Sequence, residues 1–147
     1  MLSAENPGEK KIGAGKLFFL KLKEAVDDNK SLLIESTLAG RYLQKFIENI
    51  KGTSYQITIV FLFAESPEIL IERIAERVKK GGHFVPDEDV QRRFVRGKRN
   101  FWEHYKDLAD SWSLNYNSEG TFYEVALSEN RTIEIFNENL YAKFLQI

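Results

Sequence analysis

Eight Lys and Arg side chains fall within residues 76–101, around a Gly-Gly-His turn, in a chain whose formal net charge is −1. Arg92, Arg96 and Arg99 recur at i, i+4 and i+7, a spacing that puts side chains on one face of an α-helix. Guanidinium groups bind phosphate and carboxylate through strong charge-assisted hydrogen bonds. The cluster therefore predicts a site for an anionic ligand.

The composition excludes several other chemistries. The chain has no cysteine, which excludes disulfides, Cys-ligated zinc and a thiol nucleophile, and His83 and His104 alone make a poor metal set. No apolar run reaches the roughly 20 residues of a membrane helix, and the first residues, MLSAENPGEKK, lack the apolar region of a secretory signal. We therefore expect a cytoplasmic protein with no metal site and no membrane partner. The near-neutral net charge also disfavours nucleic acid, which usually binds a basic domain.

Helical and strand patterns alternate along the sequence, which predicts a single α/β domain over residues 1–147 with a mainly parallel sheet. Strands are predicted at Ser31–Thr37 and Tyr55–Ala64, and a hairpin around Asn117–Gly120. Helices are predicted at Lys11–Asp28, at Gly40–Ile50, from Pro67 to the Gly81-Gly82 turn, from Pro86 onward with a buried stripe from Val90 to Leu108, and at Thr132–Leu145.

Ligands of parallel sheets bind beyond the carboxyl ends of the strands. Glu35 and Thr37 lie at the end of the first predicted strand, and Glu65 and Ser66 lie at the end of the second. From spacing alone, a solvated acid at Glu35 and a helix N-cap at Thr37 are the better interpretation.

Three motifs that follow one another along the sequence favour a functional interpretation of these residues. They are ESTLAGR at residues 35–41, the helix end at residues 73–83, and the segment from VP to RNF at residues 85–101. This order resembles the zeta toxin family of kinases, and the resemblance runs from about Leu2 to Gly120. It implies a P-loop-kinase-like fold, ATP and Mg²⁺ as cofactors, and phosphorylation of a small hydroxyl substrate such as a nucleotide-activated amino sugar. Its implied partners are a phosphorylated small molecule or nucleotide and an antitoxin-like protein.

The resemblance also implies roles for individual residues. Glu35, Thr37 and Arg41 correspond to the substrate pocket. The residues that correspond to the lid over the phosphates are Arg77, His83 and an arginine among Arg92, Arg93 and Arg96. Positioned guanidinium groups suit phosphoryl transfer because they neutralise charge on the transferring group.

The phosphate loop that such a kinase needs, G-x-x-x-x-G-K-[ST], is not found in the sequence. The segment GAGKLF at residues 13–18 has Lys10 where the first glycine is required, Leu17 in place of Ser or Thr, and no strand before it. Lys16 is therefore read as a solvated helical lysine, and no catalytic residue is assigned. In the family, the first strand, the phosphate loop and the catalytic acid all precede the position that matches Leu2. We therefore expect a short homologue, a misplaced start or a fragment partnered by another chain, and little or no kinase activity.

In the family, the first strand lies between the two strands that match Leu32–Glu35 and Ile57–Phe63. We expect these segments either to pair directly or to drive formation of a homo-oligomer. An alternative function is a non-enzymatic interaction module whose arginine stripe binds nucleic acid or an acidic protein. The simplest interpretation is that the arginine stripe is a solvated helix face with no ligand.

Overall fold

The structure is a computed structural model that describes residues 7–118 and 120–146, and the chain divides into two units between Glu35 and Ser36. The first unit contains helix α1 (Pro7–Asp27), close to the predicted Lys11–Asp28. Asn29 ends the helix at φ 55°, and the backbone N–H of Lys30 donates to the carbonyl of Ala25 (2.8 Å). The left-handed conformation of Asn29 thus lets backbone N–H groups donate to carbonyl groups that have no partner within the helix.

The second unit contains a four-stranded sheet and the remaining helices. Its elements in chain order are α2 (Tyr42–Ile50), β1 (Thr58–Phe63), α3 (Pro67–Lys79), α4 (Asp87–Asn100), a π-helical turn (Phe101–Tyr105), β2 (Ser111–Ser118), β3 (Thr121–Glu129), β4 (Thr132–Ile135) and α5 (Glu138–Leu145). The α/β class is confirmed, as are the predicted starts of α3 and α4. None of the described helices is both long and apolar enough to cross a membrane.

The strand order is β1-β2-β3-β4, and the sheet is mostly antiparallel. β1 pairs with β2 in parallel, whereas the β2–β3 and β3–β4 pairs are antiparallel. The expectation of a mainly parallel sheet is therefore wrong. The cause is local, because Ser118 pairs with Thr121 and Glu129 pairs with Thr132, and loops this short can join only antiparallel strands.

Two predicted elements are corrected by the structure. Thr132–Leu145 is not one helix, since its first four residues form β4 and the helix begins at Glu138. Asn130 and Arg131 both adopt positive φ (50° and 65°), the conformation of a tight hairpin turn that leads into β4. The side chain of Asn137 then accepts a hydrogen bond from the Leu140 N–H (3.0 Å) and caps α5.

The predicted strand Ser31–Thr37 is the second correction, because the segment contributes no strand to the sheet. The expectation of a strand at Leu32–Glu35 is therefore wrong, and β1 has β2 as its only described neighbour in the sheet. Leu33 is 97% exposed. An apolar and β-branched composition predicts an extended segment. Such a segment becomes a strand only when its backbone forms hydrogen bonds with a neighbouring strand.

The core of the second unit is a cluster of aromatic rings. Phe61 of β1 stacks on Phe101 of the π-helical turn, with ring centroids 4.5 Å apart. The fully buried ring of Phe144 contacts Phe61, Phe63 and Phe101. The cluster therefore joins β1, the end of α4 and α5 through edge and stacked contacts that favour a defined geometry.

The π-helical turn keeps the buried stripe facing this core. The backbone N–H of Lys106 donates to the carbonyl of Phe101 (2.9 Å), five residues earlier, instead of the usual four. Phe101 and Tyr105 are both fully buried as a result. Of the predicted stripe residues, Val90, Gly97, Phe101 and Tyr105 are buried, whereas Phe94 and Leu108 are half-buried.

A lysine lies among these apolar side chains. Lys98 of α4 is 9% exposed, and its ammonium nitrogen lies 5.5 Å from the ring centroid of Phe94 and 5.3 Å from that of Phe144. Within the described residues it forms no ion pair with a carboxylate. Burial lowers the pKa of Lys98, and the two rings offset part of the cost of the buried charge.

We predict that Lys98→Met raises the free energy of unfolding at pH 7, because methionine fills the same space without a charge. The folded-state pKa of Lys98 is below its unfolded value, so the charge costs stability at low pH and this cost is lost as pH rises through the folded pKa. The wild type should therefore gain stability on the alkaline side, and Lys98→Met should lack that gain. Urea unfolding between pH 7 and 10 measures both effects. Lys45→Met, at an exposed site, is the control, and a less stable Lys98→Met at pH 7 would contradict the prediction.

Candidate phosphate-ligand site

The loop at residues 36–41, here named the ESTLAGR loop after the motif that it completes, has its own local structure. Leu38 adopts φ 52°, and its backbone N–H donates to the hydroxyl of Ser36 (3.1 Å). The N–H of Ala39 donates to the hydroxyl of Thr37 (3.5 Å). Short hydroxyl side chains stabilise turns in this way. Thr37 is therefore a turn residue and not the N-cap of α2, whose N-cap position is occupied by Arg41.

Helix α4 and its π-helical extension hold this loop by its carbonyl groups. The side-chain amide of Asn100 donates to the carbonyl of Leu38 (2.7 Å), and the hydroxyl of Tyr105 donates to the carbonyl of Gly40 (2.8 Å). Burial raises the pKa of Tyr105, so its hydroxyl remains a donor at neutral pH. The two bonds fix the loop along one side of the helix.

Gly97 allows the closest approach between the loop and α4. A Cβ built on Gly97 would lie 2.5 Å from the carbonyl oxygen of Thr37, closer than real side chains approach such an atom. The glycine is therefore required by packing and not by its backbone angle. Its place between Arg96 and Lys98 brings the arginine-bearing helix against the loop.

The arginines of α4 differ in which side of the helix they occupy. Arg93 precedes Gly97 by one helical turn and lies on the side that meets the loop, whereas Arg99 is about 200° around the helix from Gly97. Arg92 and Arg93 approach the carboxylate of Asp89 at 2.7 and 4.0 Å. Among the predicted lid arginines, Arg93 is thus the one that shares a helix side with Gly97.

Of the other predicted site residues, Arg41 ends the ESTLAGR loop, Arg77 lies in α3 and His83 follows that helix. Arg41 is exposed at the start of α2 and donates from Nε to the side chain of Gln44 (3.0 Å). Glu35 is an exposed residue at the end of the first unit. Arg77, in the last turn of α3, donates from Nη2 to the carbonyl of His83 (2.9 Å) in the loop that follows the helix. α3 packs against α4.

A second polar cluster follows the carboxyl end of β1. Glu65 accepts hydrogen bonds from Lys143 of α5 (2.6 Å) and from the hydroxyl of Tyr116 (3.2 Å). These bonds, the one from Lys143 first, lower the pKa of Glu65. The guanidinium of Arg73 nearby in sequence donates to the backbone carbonyl of Asn117 (3.1 Å) at the end of β2.

Sequence reasoning named Glu65 as a strand-end residue but missed its partners. Lys143 lies 78 residues away and Tyr116 lies 51 residues away. The order of strands was needed to bring them together, because β2 is the parallel neighbour of β1. The one available signal was the position of Tyr116 near the end of a predicted hairpin strand.

The described residues hold no group of three or more Asp, Glu or His side chains that could bind a metal ion. What the ESTLAGR loop and α4 offer is a set of cations and hydroxyl groups. Such groups can bind and orient an anion.

Comparisons with known proteins give a distant relative. A protein of Haemophilus influenzae described as uncharacterized is 27% identical to this chain over 93 residues, which is 63% of this chain and 66% of that protein. The match thus spans just under two thirds of the relative's length. No protein-family model matches the chain, and no solved structure matches it.

We predict that Gly97→Ala lowers the free energy of unfolding by about 1–3 kcal/mol, the usual cost of an overpacked contact. The added methyl group would push the carbonyl of Thr37 away from α4. Gly13→Ala in α1 is the matched control, since a Cβ there meets nothing within 4 Å and alanine favours a helix by about 1 kcal/mol. Chemical denaturation of both variants measures the difference, and equal stabilities would show that the loop yields freely.

Proposed function

We propose that this chain binds a phosphorylated small molecule, a nucleotide or a nucleotide-activated sugar, where the ESTLAGR loop lies against α4. The observation that carries the proposal is the approach of the Thr37 carbonyl to Gly97. The zeta toxin resemblance implies that Thr37 and Arg41 contact substrate and that an arginine of α4 contacts phosphate. Close packing between these two segments supports that combination.

The electrostatics of α4 favour an anion on this side. Asp89 is the carboxylate nearest Arg93 among the described residues, at 4.0 Å, beyond hydrogen-bond distance. Arg93 can therefore turn toward a ligand without losing a strong bond. A good charge-assisted hydrogen bond contributes about 1.5–3 kcal/mol, and less where water screens it. Two such contacts correspond to a dissociation constant of about 1 mM.

Binding of this kind does not include phosphoryl transfer by these 147 residues. Lid arginines stabilise charge on a transferring phosphoryl group, but a nucleotide's phosphates and Mg²⁺ are held by a phosphate loop, and the sequence contains no G-x-x-x-x-G-K-[ST]. We therefore assign the chain a kinase-like binding function within a zeta-toxin-like family and no turnover of its own.

A second candidate function rests on the outer side of α4. Arg96 and Arg99 are exposed and form no ion pair with a described carboxylate. Side chains of this kind bind the phosphates of nucleic acid or an acidic protein surface, with an affinity that falls steeply with salt. The two candidates therefore use different sides of the same helix.

We predict that Arg93→Ala weakens binding of ATP or of a nucleotide-activated amino sugar about tenfold, the effect of losing about 1.4 kcal/mol. Arg99→Ala is the matched control, because it removes the same charge from the opposite side of α4 and should change the affinity less than twofold. Isothermal titration calorimetry at low salt measures both variants, with inorganic sulfate as a probe for simple anion binding.

Four results would count against the proposal. If neither nucleotide ligand gives heat, or if Arg93→Ala and Arg99→Ala lose equal affinity, the arginines form only a solvated helix face. Salt-dependent binding of a DNA or RNA oligonucleotide that disappears in Arg99→Ala would favour the second candidate. Turnover of ATP by the isolated chain would show that another element replaces the phosphate loop.

A further inference from the structure

Among the described residues, β1 is an edge strand of the sheet, with a strand partner on one side only. Thr58 to Phe63 pair with Ser111 to Tyr116 of β2, and no described strand lies on the other side. Backbone groups on an open edge can pair with another extended chain, so proteins usually protect such edges.

β1 lacks the usual protection. Its sequence, TIVFLF, contains no charge, no proline and no glycine, and its register with β2 runs without a bulge. Val60 and Leu62 are 63% and 53% exposed on the face opposite the aromatic core. A charge-free, regular and apolar edge is the kind that associates with another strand.

We propose that β1 pairs with β1 of a second copy of this chain, in antiparallel orientation and centred on Phe61. This pairing sets Val60 of one copy opposite Leu62 of the other, and Ile59 opposite Phe63. The same patch thus serves both copies, as a twofold interface requires. The product is one continuous sheet of eight strands, twice the four of a single copy.

The residues next to β1 are compatible with this register. Glu65, the first charged residue after β1, would face Ile57 of the other copy, so no like charges lie opposite one another. Glu65 is already paired with Lys143 of its own chain. A charged peptide would find no charged partner along β1, which is why a second copy fits this edge better.

The edge is short, so the dimer should be reversible. Stable interfaces bury about 1,200–2,000 Å² in total, and six residues of strand supply only part of such an area. We therefore expect an average mass that rises with concentration from 17.1 kDa toward twice that value.

Light scattering and sedimentation over a range of concentrations test the proposal. Val60→Lys places a charge on the edge at an exposed position and should raise the dissociation constant of the dimer at least tenfold. Phe122→Lys on β3, at a site that is 61% exposed, is the matched control and should leave the dimer unchanged. Circular dichroism of both variants verifies that they fold. A chain that stays monomeric at every concentration, or equal effects of the two variants, would overturn the proposal.

The register has its own test, since the natural chain contains no cysteine. Val60→Cys and Leu62→Cys proteins, mixed and oxidised, should form a disulfide-linked dimer. Either protein alone should link poorly, because the two identical positions are diagonal neighbours about 7–8 Å apart, beyond the reach of a disulfide. A dimer that does not cross-link preferentially in the mixture would show that another surface forms it. The inference does not depend on the proposed ligand, and neither cysteine lies at the ESTLAGR loop.

Discussion

The stacking of Phe101 on Phe61 is the contact on which the rest of the second unit depends. It joins the end of α4 to the strand that is parallel to its neighbour, and Phe144 of α5 closes the cluster from the C-terminal side. The three rings come from residues far apart in the sequence, so the cluster forms only when the sheet and helices assemble together. Large aromatic rings with defined contacts allow few alternative packings.

The position of α4 in turn fixes the candidate site. With Phe101 held in the core, Gly97 and Asn100 must face the ESTLAGR loop, and the helix offers its outer side to solvent. The same helix therefore has an apolar side, a side that binds a loop, and a cationic side. A change at Phe101 would act on the loop without touching it, because the helix transmits the displacement as a rigid element.

Local signals in the sequence predict the elements whose boundaries depend on neighbouring residues. Ser66 and Pro67 mark the start of α3, and the β-branched run within Tyr55–Ala64 marks β1. The sequence does not predict how strands pair, because pairing is decided by loops of two residues and by distant partners. Asn130 gave a turn signal before β4 that the helical pattern of the following residues concealed.

The candidate site, like the fold, could be predicted from the sequence only in part. The motif order predicts that the ESTLAGR loop and the arginines of α4 share a site, and in the structure Gly97 lies close to the carbonyl of Thr37. The ion pair of Glu65 with Lys143 and the burial of Lys98 follow from tertiary structure alone. Residue 98 follows Phe94 by four positions and precedes Phe101 by three, a helical spacing that places it beside the buried stripe, but a lysine is usually exposed.

The sheet places the two proposals at different parts of the second unit. An antiparallel β1 pair would point the carboxyl ends of its two strands in opposite directions, so the Glu65 clusters of the two copies would lie at opposite ends of the joined strands. The ESTLAGR loop contacts α4, which packs on the side of the sheet that holds Phe61, whereas Val60 and Leu62 lie on the other side. Each copy would therefore keep its own ligand site, and dimerisation would protect the apolar edge without altering the arginines of α4.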